Sequence, residues 1–288
     1  MTNSPRFAAA VGLVVLALSP LPLAAQTFTD IEFPGATRTI AREVNNNGVI
    51  VGSYDDASGT THGFLLSDGV LTIIDYPGAL GTVAGGLNND GVIVGDFVDA
   101  TGTHGFLLVN GVFSAIDFPG AIATRAHAIN DRGVIAGDYR DGIGPHGFVL
   151  ADGAFSTLDV PGALGTRAIG LNNKVDVAGD HFAAGATHGF LLTRDGFTSV
   201  DVPSAVLTQA FGVNEKGEIV GSYEDGAACP SPLSTCPHGF AVRKGLFRTI
   251  DPPGALSAQA LGINSAGWIV GTYVGGVPLA RRGFLLTP

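Results

Sequence analysis

Histidine is the residue type of this 288-residue chain best suited to acid–base or metal chemistry. Five of its seven histidines begin the recurring tripeptide His-Gly-Phe: His62, His104, His146, His188 and His238. A zinc ion needs several ligands at about 2 Å, whereas one histidine per repeat lies far from its equivalents. We therefore predict no metal site and expect each recurring histidine to donate to a neighbouring backbone carbonyl. His127 and His181 lie outside the pattern, without a partner at metal-ligand spacing.

A second set of polar residues varies at one point of an otherwise regular repeat. The residue that precedes a recurring alanine is Ile40, Val83, Arg125, Arg167, Gln209 or Gln259. Such variation indicates a position freed from the structural pattern. The candidate ligand-binding residues are therefore Arg125, Arg167, Gln209, Gln259, Glu43 and His127. The two arginines could bind an anion such as a carboxylate; surface or packing roles are the alternative.

Acidic loops also recur, for example at Asp55–Asp56, Asp99 and Asp141. Oxygen ligands of this kind could bind calcium, but none follows the spaced Asp-x-Asp-x-Asp-Gly pattern, and solvated turn residues are the simpler interpretation. The chain contains no Gly-x-Ser-x-Gly, His-Glu-x-x-His or P-loop motif. No cofactor is implied, and paired carboxylates for glycoside cleavage remain an open alternative because they have no local signature.

The two cysteines, Cys229 and Cys236, flank residues 230–235 in an inserted loop of the fifth repeat. In an exported protein such a pair predicts a disulfide, with two free thiols or a metal pair as the alternatives. The loop is short, so the bond should contribute little to global stability.

Residues 1–25 have the pattern of a secretory signal peptide, with Arg6, an apolar run over residues 7–18 and a small residue at Ala25. We predict cleavage after Ala25, which changes the net charge from −10 to −11. An uncleaved membrane anchor is the alternative, although the run is too short for a spanning helix. The expected location is secreted or periplasmic, with no membrane span in the mature chain.

The elements that position these residues are strands. Hydrophobic residues make up 45 % of the chain and charged residues 14 %, and there are 43 glycines. This composition excludes a disordered chain and a coiled coil. The acidic balance argues against a nucleic-acid partner, because phosphate binding needs clustered basic residues.

Six repeats fill residues 28–288, marked by Asn45, Asn88, Asn130, Asn172, Asn214 and Asn264. Each repeat holds four strand signals, and four strands in about 42 residues is the size of a propeller blade. Tight hairpins such as Ser67-Asp68-Gly69 join the strands. The aspartate two residues before each repeat proline is expected to cap a Pro-Gly turn.

We predict an all-β fold: a six-bladed β-propeller of four-stranded antiparallel blades, forming one domain over residues 26–288. If each blade begins with the strand that leads to the repeat asparagine, the last blade has three strands. Residues 28–32 would then supply its fourth strand and close the ring. A β-solenoid is the alternative, but it should have capping elements at its ends, and the sequence contains none.

The units His-Gly-Phe-Leu-Leu, Asp-x-Pro-Gly-Ala and Gly-Ile-Asn-x-x-Gly-x-Ile-Val-Gly-x-Tyr resemble the bacterial extracellular HAF repeats. This chain differs in the central glycine of its triplet and in Arg282, which replaces the last histidine. The resemblance implies export from a bacterial cell and no established reaction. We therefore expect a non-enzymatic binding module that recognises a glycan or a protein through its loop face, the side of the ring that carries the longer connections. A secreted propeller enzyme acting on polysaccharide, as a hydrolase or lyase, is the alternative, and Glu43 is its one hint.

Overall fold

The computed structural model describes residues 26–183, 185–230 and 233–288. The predicted signal peptide, residues 1–25, lies outside them. The described part of the chain contains 24 strands and no helix, hence none long and apolar enough to cross a membrane. The all-β prediction is confirmed.

The strands follow the repeat, four to a unit. The first strands are β2 (Arg38–Val44), β6 (Gly81–Leu87), β10 (Ala123–Ile129), β14 (Gly165–Leu171), β18 (Leu207–Val213) and β22 (Ala255–Ile263). The second strands are β3 (Ile50–Asp55), β7 (Ile93–Val98), β11 (Ile135–Arg140), β15 (Val177–Ala183), β19 (Ile219–Glu224) and β23 (Ile269–Gly275). The third strands are β4 (Thr61–Ser67), β8 (Thr103–Val109), β12 (Pro145–Ala151), β16 (Ala186–Thr193), β20 (His238–Arg243) and β24 (Ala280–Thr287). The fourth strands are β5 (Val70–Ile74), β9 (Val112–Ile116), β13 (Ala154–Leu158), β17 (Gly196–Ser199), β21 (Leu246–Thr249) and, from the start of the chain, β1 (Thr27–Ile31).

We call these units 1 to 6 in the order of their first strands, so that unit 6 consists of β22, β23, β24 and β1. Neighbouring strands within a unit pair antiparallel, and β1 pairs with β24 from Thr27↔Thr287 to Ile31↔Gly283. Backbone pairing joins the strands into two eight-stranded and two four-stranded sheets. Each larger sheet is two units linked by a single parallel bridge, Arg38↔Arg281 or Ala123↔Thr103.

The core of each unit depends on the His-Gly-Phe triplet. Its phenylalanine is buried in every unit: Phe64, Phe106, Phe148, Phe190, Phe240 and Phe284. The residue opposite Phe106 on the second strand is Gly95, where an added Cβ would lie 2.7 Å from the phenylalanine ring. Since real Cβ atoms do not approach so closely, glycine at this position lets the ring lie flat across the sheet.

Turn chemistry also follows the sequence. The Asp68–Gly69 turn between β4 and β5 has φ of 52° and 78°, as a two-residue type I′ hairpin requires, and the predicted tight turn is confirmed. At the other end of the hairpin, the amide of Tyr76 donates to Thr82 Oγ1 at 3.0 Å. The Pro-Gly turn is thus held by this threonine, and its predicted cap, Asp75, has a different partner.

The recurring asparagine holds neighbouring units together. Asn88 Oδ1 accepts the amides of Asp90 and Val92, while its Nδ2 donates to the carbonyl of Asn130 in the next unit. The same donation repeats from unit to unit, and Asn264 Nδ2 of unit 6 donates to the carbonyl of Asn45 in unit 1 at 3.0 Å.

Apolar clusters fill the contacts between units. One of them brings Ile31 and Val270 of unit 6 together with Ala41, Tyr54 and Phe64 of unit 1. Units 1 and 6 therefore share a core of the same kind as units that are adjacent in the chain.

Candidate functional site

A cavity of about 300 Å³ lies between the first strands of all six units. We call it the channel. It is lined by Ile40, Arg42, Glu43, Gly85, His127, Arg167, Ile169, Gln209, Phe211, Gln259 and Leu261.

A β-bulge in every first strand aims a side chain into the channel. In unit 1 the pairing shifts between Ala41 and Glu43, which leaves Arg42 without a partner on β3. Bulges of this kind re-aim a side chain and are frequent beside active sites. The bulged residues of the six units all line the channel, and no two share a residue type: Arg42, Gly85, His127, Ile169, Phe211 and Leu261.

The structure brings five of the six sequence-predicted ligand residues into this lining: Glu43, His127, Arg167, Gln209 and Gln259. The sixth, Arg125, lies on β10 outside the lining, with its Nη1 3.6 Å from Asp138 Oδ2. Residues at the bulge other than His127 were missed, because the repeat alternates regularly in sequence and nothing in one strand marks where its register shifts.

Carboxylates on the second strands stand behind the channel wall. Asp96, Asp138 and Asp180 occupy one repeat position in units 2 to 4, and Asp138 and Asp180 are 3 % and 0 % exposed. Sequence reasoning missed all three. The available signal was the position after a repeat glycine, where other units have Ser53, Ser222 and Thr272.

The buried aspartates bind the basic side chains of the first strands. Arg167 donates from Nε to Asp180 Oδ1 at 2.8 Å and from Nη2 to Oδ2 at 2.5 Å, and Gln209 Nε2 donates to Oδ2 at 2.9 Å. His127 Nε2 lies 2.5 Å from Asp138 Oδ1. The guanidinium of Arg167 is thus already engaged bidentately, the geometry in which arginine binds carboxylates most strongly.

Electrostatics keep Asp138 and Arg167 ionised. Burial raises the pKa of Asp138, but the hydrogen bond from His127 and the charges of Arg125 and Arg167 outweigh it and hold that pKa below its usual value. Burial lowers the pKa of Arg167, yet Asp180 raises it above the ordinary arginine value. An external anion at Arg125 and Arg167 would have to compete with these carboxylates; the binding role of the two arginines stays a prediction.

Glu43 lies at the inner end of the channel. It lines both the channel and a smaller cavity of about 70 Å³ at the asparagine turns. Its Oε1 accepts the amide of Val44 at 2.9 Å and packs on Gly262, where an added Cβ would be 2.8 Å away. Burial raises the pKa of Glu43 to about 8, opposed by the Val44 amide. At neutral pH Glu43 therefore holds a proton and offers a hydroxyl donor.

The recurring histidines lie elsewhere, and the prediction of their partner was wrong. Each Nδ1 faces the carboxylate thirteen residues later, as His62 does Asp75 at 2.8 Å, and not a backbone carbonyl. The aspartate expected to cap the Pro-Gly turn is that partner, because the third and fourth strands are hairpin neighbours. The pKa of His62 is raised, chiefly by its hydrogen bond to Asp75.

The exception among these pairs is unit 6. Arg282 replaces the histidine there, Glu32 replaces the aspartate, and the two form an ion pair between β24 and the segment after β1. Both members of the pair differ from the other units, although they are far apart in sequence.

The acidic loops are turns closed on themselves. Asp56 Oδ1 accepts the amides of Ser58 and Thr60 at 2.8 and 2.9 Å, and Asp99 and Asp141 accept amides in the same way. Among the residues that the structure describes, no three His, Cys, Asp or Glu side chains are placed to hold a metal ion.

Exposed aliphatic residues recur on the crossover loops that lead into the first strands. Leu80, Ile122, Leu164 and Val206 are 67 %, 66 %, 77 % and 56 % exposed. They precede four successive first strands at the end where Gln209 and Arg167 stand.

The predicted disulfide between Cys229 and Cys236 is confirmed, with a Cα–Cα distance of 5.6 Å. It lies in the inserted loop before β20, away from the channel lining. A disulfide is compatible with a secreted or periplasmic protein.

No family model matches the chain, and no curated protein is similar to it in sequence. Solved structures are similar in fold. The β-propeller domain of the Trilobed protease from Pyrococcus furiosus, described as having an open velcro topology, is 8 % identical with a TM-score of 0.50 and covers 87 % of this chain and 94 % of its own.

Two further neighbours carry functional names. A variant of the Aleuria aurantia lectin in complex with Fucα1-6GlcNAc is 11 % identical, with a TM-score of 0.51 and 88 % and 95 % of the two chains covered. A streptogramin B lyase is 13 % identical, with a TM-score of 0.50 and 90 % and 97 % covered. At these identities the likeness concerns the fold alone: the chain is all-β and has β-propellers as its structural neighbours.

Proposed function

We propose that the chain is an exported six-bladed β-propeller in which β1 completes the last blade and closes the ring. Four contacts between the chain ends support this: the β1–β24 ladder, the shared cluster around Ile31, the Arg282–Glu32 ion pair and the Asn264–Asn45 hydrogen bond. Export rests on the signal-peptide pattern of residues 1–25 and is compatible with the disulfide. The HAF-type repeat assignment belongs to the same proposal.

Within this ring, the channel is a binding site and the protein a non-enzymatic binding module. The observation behind this is the contrast between positions. Residues that pack the units repeat from unit to unit, whereas the bulged residues and those before the repeat alanine differ and converge on one cavity. A purely structural ring would have no need of six different side chains at equivalent places.

The lining fits a glycan better than a protein chain. Gln259, the Glu43 hydroxyl and the Oε1 of Gln209 offer donors and acceptors to sugar hydroxyls, and Phe211 offers an apolar face. Apolar side chains such as Ile169 and Phe211 alternate with these polar groups in the lining, and small-ligand sites likewise combine apolar walls with a few placed polar groups. A lectin among the structural neighbours agrees with this choice.

A glycan array probed with the mature protein, residues 26–288, tests the proposal. We expect glycan binding that falls roughly 10-fold or more in Gln259→Ala, which removes a channel amide. The matched control is Leu246→Ala, on the outer strand β21 and 79 % exposed, which should bind as the unaltered protein does. An array without any bound glycan, or binding lost in the control and kept in Gln259→Ala, would overturn the proposal, and capture of a protein alone would point to the other ligand class.

One observation favours the enzymatic alternative, a propeller acting on polysaccharide. Glu43 keeps its proton at neutral pH in the same channel as the imidazole of His127, and a carboxylic acid and an imidazole in one site are groups that general acid–base catalysis uses. Incubation with polysaccharides and detection of new reducing ends or unsaturated products tests it. Activity that disappears in Glu43→Gln would establish the enzyme; no turnover in the unaltered protein would leave the binding role.

A further inference from the structure

The guanidinium of Arg42 differs from the other arginines that face the channel or stand near it. Arg167 is bound by Asp180, and Arg38 of the same strand donates to Asp55 at 3.0 Å. Arg42 Nε is buried without a hydrogen-bond partner, and in the described ranges no carboxylate forms an ion pair with Arg42.

An unpaired buried charge is costly. Burial and the charge of Arg38 lower the pKa of Arg42, and the charge of Asp96 opposes this without an ion pair. Arg42 is half-buried, so its Nε is withdrawn from water without a hydrogen-bond partner while the rest of the guanidinium stays accessible, and loss of water from a charged group is unfavourable until a partner replaces it. Folding does not require an arginine here, because the other units have Gly85, His127, Ile169, Phe211 and Leu261 at the same bulge.

Open space reaches Arg42 from two sides. One is the channel, and the other is a groove of about 440 Å³ between units 1 and 2, lined by Arg42, Asp96, Thr82 and Ser58 among others. A ligand in either cavity can therefore meet the donors of Arg42. The bulge that puts Arg42 outside the ladder is what brings it to this junction.

The neighbouring charges limit the kind of ligand. Asp138 and Asp180 already bind His127 and Arg167, so one negative charge on a ligand is enough to balance the single guanidinium of Arg42. A carboxylate matches the planar fork of arginine and accepts two hydrogen bonds from it. The Glu43 hydroxyl, the amide of Gln259 and the Oε1 of Gln209, whose Nε2 binds Asp180, remain for sugar hydroxyl groups.

We infer that Arg42 binds the carboxylate of an acidic sugar, so that the ligand of the channel is a uronic-acid-containing glycan. This inference rests on the proposed function and sharpens it: Arg42 supplies the contact that selects an acidic sugar over a neutral one. Arg125 and Arg167, bound to their aspartates, keep the channel wall in place.

The test uses tri-galacturonic acid, its methyl ester and the neutral galactose trimer as probes, with calorimetry on the mature protein. We expect the acid to bind and Arg42→Gln to weaken it roughly 10- to 100-fold, the range for a hydrogen bond to a charged group. The ester and the neutral trimer should bind weakly and be indifferent to the substitution. Arg194→Gln, at a side chain that is 93 % exposed, is the matched control and should leave all three affinities unchanged.

Thermal unfolding without ligand separates this role from a structural one. Since Arg42→Gln removes a buried charge that has no partner, its Tm should equal or exceed that of the unaltered protein. A lower Tm together with unchanged affinity for the acid would overturn the inference.

The two proposals fail differently. If the neutral trimer binds as tightly as the acid and Gln259→Ala weakens both, the channel is a glycan site and the inference about Arg42 is wrong. If none of the three probes binds, the inference is wrong as well, and the glycan array then decides on the proposed function.

Discussion

Ring closure by β1 can be tested with one residue, Ile31. It is 5 % exposed and pairs with Gly283 on β24. Ile116 occupies the equivalent place in unit 2, where it is 7 % exposed and pairs with Gly105 on β8. An added Cβ on the facing glycine would lie 3.2 Å from the Cβ of Ile31 and 3.3 Å from that of Ile116. The two isoleucines thus have the same environment, but only Ile31 belongs to a strand from the other end of the chain.

The expected cost of Ile31→Ala follows from its burial. The substitution removes three carbon atoms, worth about 0.8 kcal/mol each in transfer free energy. The cavity left behind adds to this, and Ile→Ala substitutions in cores cost about 2–5 kcal/mol. We expect about 3 kcal/mol for Ile31→Ala, and the same within about 1 kcal/mol for Ile116→Ala.

Urea unfolding gives both values. Trp268, the single tryptophan, packs on the cluster that contains Ile31, so its fluorescence reports on the contact of units 1 and 6, while circular dichroism reports on all strands. The two transitions should coincide if unfolding is cooperative, and the midpoint should shift at an unchanged slope.

The decisive comparison is between the two variants. If Ile116→Ala costs about 3 kcal/mol and Ile31→Ala less than about 0.5 kcal/mol, then β1 is not docked in solution and the closed ring is wrong. If both are nearly neutral, the core positions themselves are misassigned.

Two further predictions concern single polar residues. Glu43 has a pKa of about 8 in the folded protein, above its unfolded value, so the folded state binds more protons and stability should fall as pH rises from about 4.5 to 8. The Glu43→Gln variant lacks this pH dependence, so its free energy of unfolding relative to that of the unaltered protein should rise by at least about 1.4 kcal/mol between pH 5 and pH 9. If urea unfolding gives the same difference between the two proteins at both pH values, the burial of Glu43 is contradicted. Asn130→Ala removes the acceptor for the amides of Arg132 and Val134 and the donor to Asn172, and should cost about 3 kcal/mol in urea unfolding, against near zero for the exposed control Ser156→Ala. A small cost at Asn130 would show that water replaces these hydrogen bonds.

The strands were predictable because each is bounded by residues with a conformational reason to be there. The Asp68–Gly69 turn has positive φ at both residues. The prolines and asparagines equivalent to Pro77 and Asn88 follow a strand in every repeat. Successive strand residues face opposite sides of a sheet, so a one-residue shift in hairpin register would turn Phe64 and its equivalents out of the core. Because the turn residues occupy the same place in every repeat, the inward and outward faces of the strands were predictable.

The wall of the channel was only half predictable. Gln209 and Gln259 vary at a place that alternation assigns to the inner face, and they do line the cavity. Arg42 could not be placed from the sequence, because a bulge breaks the alternation without a marker of its own. Asp138 and Asp180 were missed because thirteen residues separate them from Arg125 and Arg167, and only the register of the first two strands makes them neighbours.

The histidine error has a similar origin. The thirteen-residue spacing from His62 to Asp75 is constant in five units, so the pairing was present in the sequence as a fixed distance. The prediction related each histidine only to the backbone beside it, whereas the hairpin of the third and fourth strands brings His62 close to Asp75.

The proposed binding function is consistent with the positions at which the repeats tolerate variation. A residue that packs between units, such as Phe64 or Val51, touches two of them, so a change there disturbs both. The bulged residue lies outside the strand ladder and lines the channel, so Arg42 could be replaced by the glycine or leucine of another unit without loss of a ladder pair. Six such positions surround one cavity, and their charges and sizes can change independently of the scaffold. Under the proposed binding function, the bulges would therefore determine specificity, and a ligand would gain most at Arg42, the bulged residue whose charge forms no ion pair.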